Sequence, residues 1–301
     1  MRPQASNPAI PLLTATAGMG TFAAMDAFMK ALSIEMGAYN AILWRSCIGL
    51  GIAVVLFFAM RSRWPVRSTL RIHVWRGLVV SLMAFLFFWG LAYVPLAEAI
   101  ALSFIAPLIT LYLAAVLLFE EIGRRAIVAS VLGFGGAMVI VTGQLSGNLD
   151  SKMVPGIAAI LLSAVLYAYN LILQRQQALV ADPIEIALFQ NATMLCVYAA
   201  LAPWFAVVPT PTQLPWLAAA AVLSLTSVLL ISWAYARAQA KTLIPVEYTA
   251  FVWAALLGWL VFDEVVTLVT IIGTGFIVLG CLLAMRESRA PGARQPDAVS
   301  S

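Results

Sequence analysis

One histidine, three cysteines and a charged fraction of only 10% are what 301 residues provide for polar chemistry. Each shortage removes a class of function. With His73 as the single imidazole, paired-histidine haem ligation and the H-E-x-x-H zinc motif are excluded. Cys47, Cys196 and Cys281 each stand alone inside an apolar run, so neither a disulfide framework nor a metal site is expected. No Gly-rich phosphate loop or nucleotide-binding domain is present, and the serines have no histidine or lysine partner at a catalytic spacing. Neither an enzyme nor a cofactor is therefore expected. The formal charge of +4 is small and scattered, which excludes nucleic acid as a partner.

What is abundant is apolar surface. Hydrophobic residues make up 63% of the chain and the mean hydropathy is +0.99. A soluble domain carries about 25% charged and about 45–50% apolar residues, so the solvent for this chain is lipid. Met1 to Pro8 is polar and no small-residue cleavage site precedes a soluble domain, so no cleavable signal peptide is expected. A span needs about 20 mostly apolar residues. That ruler gives ten: 9–29, 38–60, 74–94, 96–119, 126–144, 154–174, 184–207, 215–236, 240–262 and 266–285. Their lengths specify helices rather than barrel strands, making an all-α membrane protein.

Basic residues orient the chain. With the N-terminus cytoplasmic, fourteen of the seventeen Lys and Arg residues fall on the inner side, from Arg2 through the Arg61–Arg76 group to Arg294. Only Lys30 and Lys152 fall outside, and Arg45 lies within a span. Both termini are thus expected in the cytoplasm, with the protein multi-pass in the cell inner membrane and a polar cytoplasmic tail over 286–301.

One long segment is written twice. Leu96–Arg125 carries Glu98, Pro107 and a closing acidic pair, Glu120 and Glu121; Ala240–Val266 carries Pro245, Glu247 and the pair Asp263 and Glu264. Glu121 and Glu264 are 143 residues apart, and that offset nearly aligns Trp89 with Trp233 and the glycines Gly133-x-Gly135-Gly136 with Gly273-x-Gly275. Residues 9–144 and 154–285 therefore read as two copies of a five-span unit. Five is odd, so the second copy enters from the opposite face, the inverted-repeat plan of secondary transporters.

Charges within spans cost about 2.5–3.5 kcal/mol each on insertion scales and mark sites or pathways. Asp26 and Lys30 are four apart and able to pair along one face, as a neutralised couple near the outer interface. Arg45 is either structural, bonded to carbonyls or to Asp26, or an anion ligand. Glu98 stands in a first helical turn, favourable to the dipole, or in a cavity. Glu247, beside Pro245, is the stronger candidate for a proton-linked or cation-binding group. The closing acidic pairs read as membrane-surface markers. Among aromatics, Trp89, Trp233, Tyr167 and Tyr248 divide between interfacial belt and cavity wall, and Asn170 makes the Tyr167 neighbourhood more site-like.

The order of Arg45, Tyr93-x-Pro95-Leu96-Ala97-Glu98-Ala99, Ser103-Phe104-x-Ala106-Pro107-Leu108, Glu121, Glu247-Tyr248-Thr249-Ala250, Ala255-Leu256-Leu257-Gly258-Trp259 and Glu264 resembles the EamA-type branch of the drug/metabolite transporter superfamily over residues 9 to 285. Ala250 and Asp263 depart from it where a proline and a glycine are usual. The resemblance implies a ten-helix alternating-access carrier of a small organic solute, with spans one, three, four, six, eight and nine around the cavity. Its first-half motif is similar to members that carry S-adenosylmethionine or riboflavin; export of amino acids or drugs is the alternative within the family. A non-transporting receptor or scaffold, or an intramembrane enzyme, is the alternative outside it. The expected partners are the solute and the lipid bilayer, and a monomer is compatible with the sequence.

Overall fold

The computed structural model describes residues 9–62, 64–106, 108–110, 113, 124–145, 152–178, 180–235, 246 and 248–287, and all regular structure among them is helical. In chain order the helices are α1 (Ala9–Met36), α2 (Ala38–Ala59), α3 (Arg67–Leu91), α4 (Leu96–Ser103), α5 (Arg124–Leu145), α6 (Met153–Ala178), α7 (Pro183–Ala200), α8 (Ala202–Phe205), α9 (Leu214–Tyr235), α10 (Thr249–Phe262) and α11 (Leu268–Glu287). Within them, Ala38–Ala59, Arg67–Leu91, Met153–Gln174 and Leu214–Ile231 are each long and apolar enough to cross a membrane by length and composition. The one-turn α8 continues the seventh span beyond α7; Pro203 lacks the N–H that would bond to Ala199, and the helix breaks at Leu201. Among the described residues the chain forms eleven helices.

Two boundaries differ from the hydropathy reading. The third span begins at Arg67 rather than 74, and the first runs on to Met36 rather than 29. An apolar ruler stops at charge, whereas helical hydrogen bonding does not. His73, one residue outside the span read from hydropathy, therefore lies on α3 and is buried.

The shell and the interior are inverted relative to a soluble protein. Val55, Phe58, Val131, Phe134, Val252, Trp259, Leu260 and Ile272 face outward, while Asp26, Arg45, His73, Arg76 and Glu98 are buried. Lipid rewards that arrangement, since polar groups must find partners inside the bundle.

Helix contacts repeat under exchange of the two halves. α1 packs on α9 as α6 packs on α3, α1 on α10 as α6 on α4, and α2 on α9 as α7 on α3; α2 meets its own counterpart α7, and α5 meets α11. The fold is two inverted five-helix units. At the α5–α11 crossing the backbones touch: a Cβ on Gly136 would strike the Gly273 carbonyl, and one on Gly273 would lie 2.7 Å from the Gly136 carbonyl. Gly135, one residue away, has open space at its Cβ position. Gly136→Ala is expected to destabilise the protein by about 1–3 kcal/mol through overpacking. Gly135→Ala should stabilise it by up to about 1 kcal/mol, because alanine is the better helix former. Thermal unfolding of the two variants in detergent checks the contrast.

The first featured segment is broken within its described residues. After Ser103 the hydrogen bonds tighten to three-residue spacing, from the amides of Phe104 and Ile105 to Ala101 and Leu102, just before Pro107, whose ring excludes a regular helix over the preceding turn. In the second half Phe251 N–H likewise bonds to Tyr248 C=O at the start of α10. The two segments meet through Phe104 and Tyr248, whose ring centroids are 5.2 Å apart, edge to face.

Candidate functional site

Midway along the bundle, polar side chains from three helices converge in an apolar surround. Asp26 on α1 and Arg45 on α2 are buried and electrostatically coupled, and Arg45 Nη1 donates to Ser224 Oγ of α9 at 3.2 Å. Their remaining capacity is unmet. Asp26 Oδ2, Arg45 Nε and the hydroxyls of Ser46 and Ser227 are buried without a hydrogen-bond partner. A buried polar atom left unpaired costs about 1–3 kcal/mol. Four of them on α1, α2 and α9 mark a place built for something other than stability.

Toward the end of the bundle that holds the N-terminus of α1, a second polar group is fully satisfied. Arg76 on α3 donates through Nε to Asn170 Oδ1 (2.9 Å) and through Nη1 to Gln177 Oε1 (2.7 Å), both on α6. A guanidinium only donates, so Gln177 must turn its oxygen to Arg76 and its amide nitrogen to His73 Nδ1. His73 Nδ1 is then the acceptor, and Nε2 carries the hydrogen donated to Glu185 Oε1 on α7 at 2.8 Å. The ring is pressed against Phe189, stacked at 4.8 Å. A chain of five residues thus fixes the orientation of one arginine.

Between these two groups lies a cleft of about 110 Å³ lined by Arg45, Arg76, Gln174, Gln190, Asn191 and Ser224, among others. The helices around it are α2, α3, α6, α7 and α9.

The opposite, distal end is closed by a third group. The turn after α10 places Asp263 at φ 55°, a left-handed conformation, and the Glu264 amide bonds to Gly258 C=O at 3.1 Å. This folds the Glu264 side chain back into the bundle. Its Oε2 accepts from the Leu96 amide at 2.7 Å, capping the exposed N-terminus of α4. Its Oε1 forms an ion pair with Lys30 of α1, which also donates to Val94 C=O at 2.8 Å. Gly258 leaves the room this needs, since a Cβ there would sit 2.9 Å from Glu264 Oε2. Glu98 lies alongside, with Oε1 accepting from Thr270 Oγ1 at 2.9 Å and Oε2 unpaired.

The sequence-derived candidates divide among these places. Asp26 and Arg45 come together at mid-depth; Asn170 joins the Arg76 group; Glu98 belongs to the distal end. Tyr248 meets Phe104 at the helix breaks, and Tyr167 packs near them with Ile105, Ile109 and Leu113. Trp89 packs on Tyr93 with ring centroids 5.3 Å apart, and Trp233 is 37% exposed. Glu247 lies outside the described residues, as do Glu120 and Glu121. Three readings are corrected. Lys30 pairs with Glu264 and not with Asp26, because the distal turn brings a carboxylate to it. Glu264 is no surface marker, because the left-handed turn at Asp263 points it inward. Arg76 is a buried helix residue and not a loop charge. Arg76, His73, Gln177 and Glu185 were missed, yet a signal existed: Asn170, Gln174 and Gln177 form a polar stripe at helical spacing in an otherwise apolar run.

A family model described as the EamA-like transporter family matches the chain twice, over residues 9–142 and 154–286. The pseudopaline exporter of Pseudomonas aeruginosa is 27% identical over 282 residues, covering 92% of this chain and 96% of its own. The riboflavin transporter of Rhizobium johnstonii is 29% identical over 231 residues, covering 76% and 73%; that of Vibrio cholerae is 28% identical over 275 residues, covering 88% of each. A solved structure described only as a protein crystal structure aligns with a TM-score of 0.60 at 21% identity, over 94% of this chain and 99% of its own. That likeness concerns the fold.

Proposed function

The chain belongs to the EamA-like transporter family, and from that premise we propose that it carries a small organic metabolite across the inner membrane by alternating access between its two inverted units, 9–144 and 154–285. Both termini lie in the cytoplasm in this reading, which the distribution of Lys and Arg supports. The distal end is then periplasmic, and the conformation described is closed there by the Lys30–Glu264 ion pair. Transport proceeds without covalent chemistry on the solute. Named cargo differs among the relatives, pseudopaline for one and riboflavin for others, so no cargo is transferred from any of them.

The observation that carries the reading is the set of unmet polar atoms at Asp26, Arg45, Ser46 and Ser227 inside a lipid-facing shell. A scaffold or receptor core gains nothing from them. Transporter sites lie near the midplane between repeats, beside broken helices. Asp26, Arg45 and Tyr248 are the residues we place closest to the solute, with Tyr167, Asn170, Trp89 and Trp233 as outer wall candidates. Glu98 and Glu247 are the acids we assign to coupling. The direct test is flux of a labelled metabolite mixture through proteoliposomes. Accumulation or loss of at least one solute above protein-free vesicles is expected. Intact, monodisperse protein that moves none of them across either direction of gradient would overturn the proposal.

A further inference from the structure

We propose that the cleft between Arg45 and Arg76 is a binding site for an oxyanion group, a carboxylate or phosphate, on the transported solute. The inference rests on the transporter reading and names the chemistry its cargo presents.

The polar lining is rich in donors and lacks a carboxylate. Two guanidinium groups and the side-chain amides of Gln174, Gln190 and Asn191 border the cleft, with the Ser224 hydroxyl, and no acidic residue does. Both arginines are buried, at 6% and 7% exposure, so bulk water does little to screen them. A buried cation in an apolar bundle ordinarily sits beside its counter-ion. Among the described residues neither arginine has a carboxylate within ion-pair distance; Glu264 pairs with Lys30, and Glu185 accepts a hydrogen bond from His73.

Arg76 is held by two neutral carbonyl oxygens, of Asn170 and Gln177. These take two of its five hydrogens and leave its charge without a carboxylate partner among the described residues. The relay through His73 to Glu185 fixes Gln177 and hence the plane of the guanidinium, which is what orienting a planar donor toward a ligand requires. Arg45 has one nitrogen on Ser224 and its Nε unpaired. Asp26 is coupled to it by charge, without an intervening hydrogen bond. The cleft, about 110 Å³, has room for a charged head group, with the body of the solute extending toward the helix breaks at Phe104 and Tyr248.

An oxyanion could arrive on a soluble solute or on a phospholipid head group, and the test separates them. Wild-type protein, delipidated in a neutral maltoside detergent, is melted with succinate, inorganic phosphate or chloride at matched ionic strength, and separately with phosphatidylglycerol. The expected result is a rise in midpoint of about 4 °C with succinate or phosphate over chloride. That rise should vanish in Arg45→Gln and Arg76→Gln and persist in part in Arg45→Lys. Should the glutamine variants fail to fold, Ala221→Leu fills the cleft from α9 and keeps both arginines in the sequence, and it too should abolish the rise. Equal midpoints in all three salts, or a rise that survives Ala221→Leu, overturn the proposal. So does a rise produced by phosphatidylglycerol alone. Flux of an uncharged solute that is indifferent to Arg45→Gln would remove the oxyanion site and leave the transporter reading intact; absence of flux for any solute would remove the transporter reading itself.

Discussion

Glu264→Ala is expected to destabilise the protein by about 3–5 kcal/mol, the cost of leaving a buried charge without its partner. Lys30 is 3% exposed, and besides Glu264 it meets the Val94 carbonyl and the Phe262 ring, 5.0 Å to the centroid, neither of which neutralises an ammonium. The same change removes the acceptor for the Leu96 amide, so α4 loses its cap as well. Glu264→Gln separates the two effects: its side-chain oxygen still caps Leu96, but the charge on Lys30 is uncompensated. The double variant Lys30→Met/Glu264→Gln removes both charges and keeps the cap. It should recover most of the stability lost in either single variant, because apolar replacement of a buried pair is often neutral. Flux should not recover. In the proposed cycle the ion pair is the contact that must form and break between α1 and the α10–α11 turn, and a bundle sealed there by methionine has no charge to release. Thermal midpoints and proteoliposome flux for wild type, Lys30→Met, Glu264→Gln and the double variant give a complete cycle. A Glu264→Ala protein within about 1 kcal/mol of wild type would reduce the ion pair to a surface contact.

The same residue shows where sequence reasoning stops. Glu264 was legible as half of a repeat, since an acid closes each long segment at an offset of 143 residues. Its role was not, because that role depends on Asp263 adopting a left-handed turn, and glycine rather than aspartate is the usual signal for that geometry. The partners are also distant in sequence: Lys30 is 234 residues away and Leu96 is 168. No local pattern encodes such a meeting.

Spans and repeat were legible for the opposite reason. Hydropathy acts residue by residue against lipid, so length and composition locate each helix even when its contacts are unknown. The method errs only where charge continues along a helix. Arg67, Arg71 and Arg76 were grouped as one inner-side basic cluster, which places the N-terminus in the cytoplasm in the proposed reading. The grouping hides that Arg76 stands nine residues into α3 and faces α6. Of the polar stripe on α6 only Asn170 was singled out from the sequence, and the packing of α3 between α6 and α7 is what makes one network of residues from 73 to 185.

Asp26→Leu is the variant that asks whether the mid-bundle charges hold the fold or serve the solute. It leaves Arg45 buried with Ser224 as its hydrogen-bond partner and no carboxylate nearby on α1, so a loss of about 2–3 kcal/mol is expected. Asp26→Asn keeps the shape and some hydrogen-bonding capacity, and should cost less, about 1–2 kcal/mol. The informative protein is again the double variant, Asp26→Leu/Arg45→Met, in which neither charge remains. If the pair were scaffold, the double variant would regain stability and flux together, since apolar side chains of similar size pack at least as well in this surround. In the proposed role it regains stability alone. Flux of any anionic cargo falls by a hundredfold or so, equivalent to roughly 3 kcal/mol, because Arg45 supplies one of the two guanidiniums that the cleft presents. The unmet atoms argue for the second outcome. Asp26 Oδ2 and Arg45 Nε are each buried, each short of a partner, and not hydrogen-bonded to one another. Two charges selected only to stabilise the bundle would have closed that gap, and the distal pair, Lys30 with Glu264, shows that this fold is able to do so.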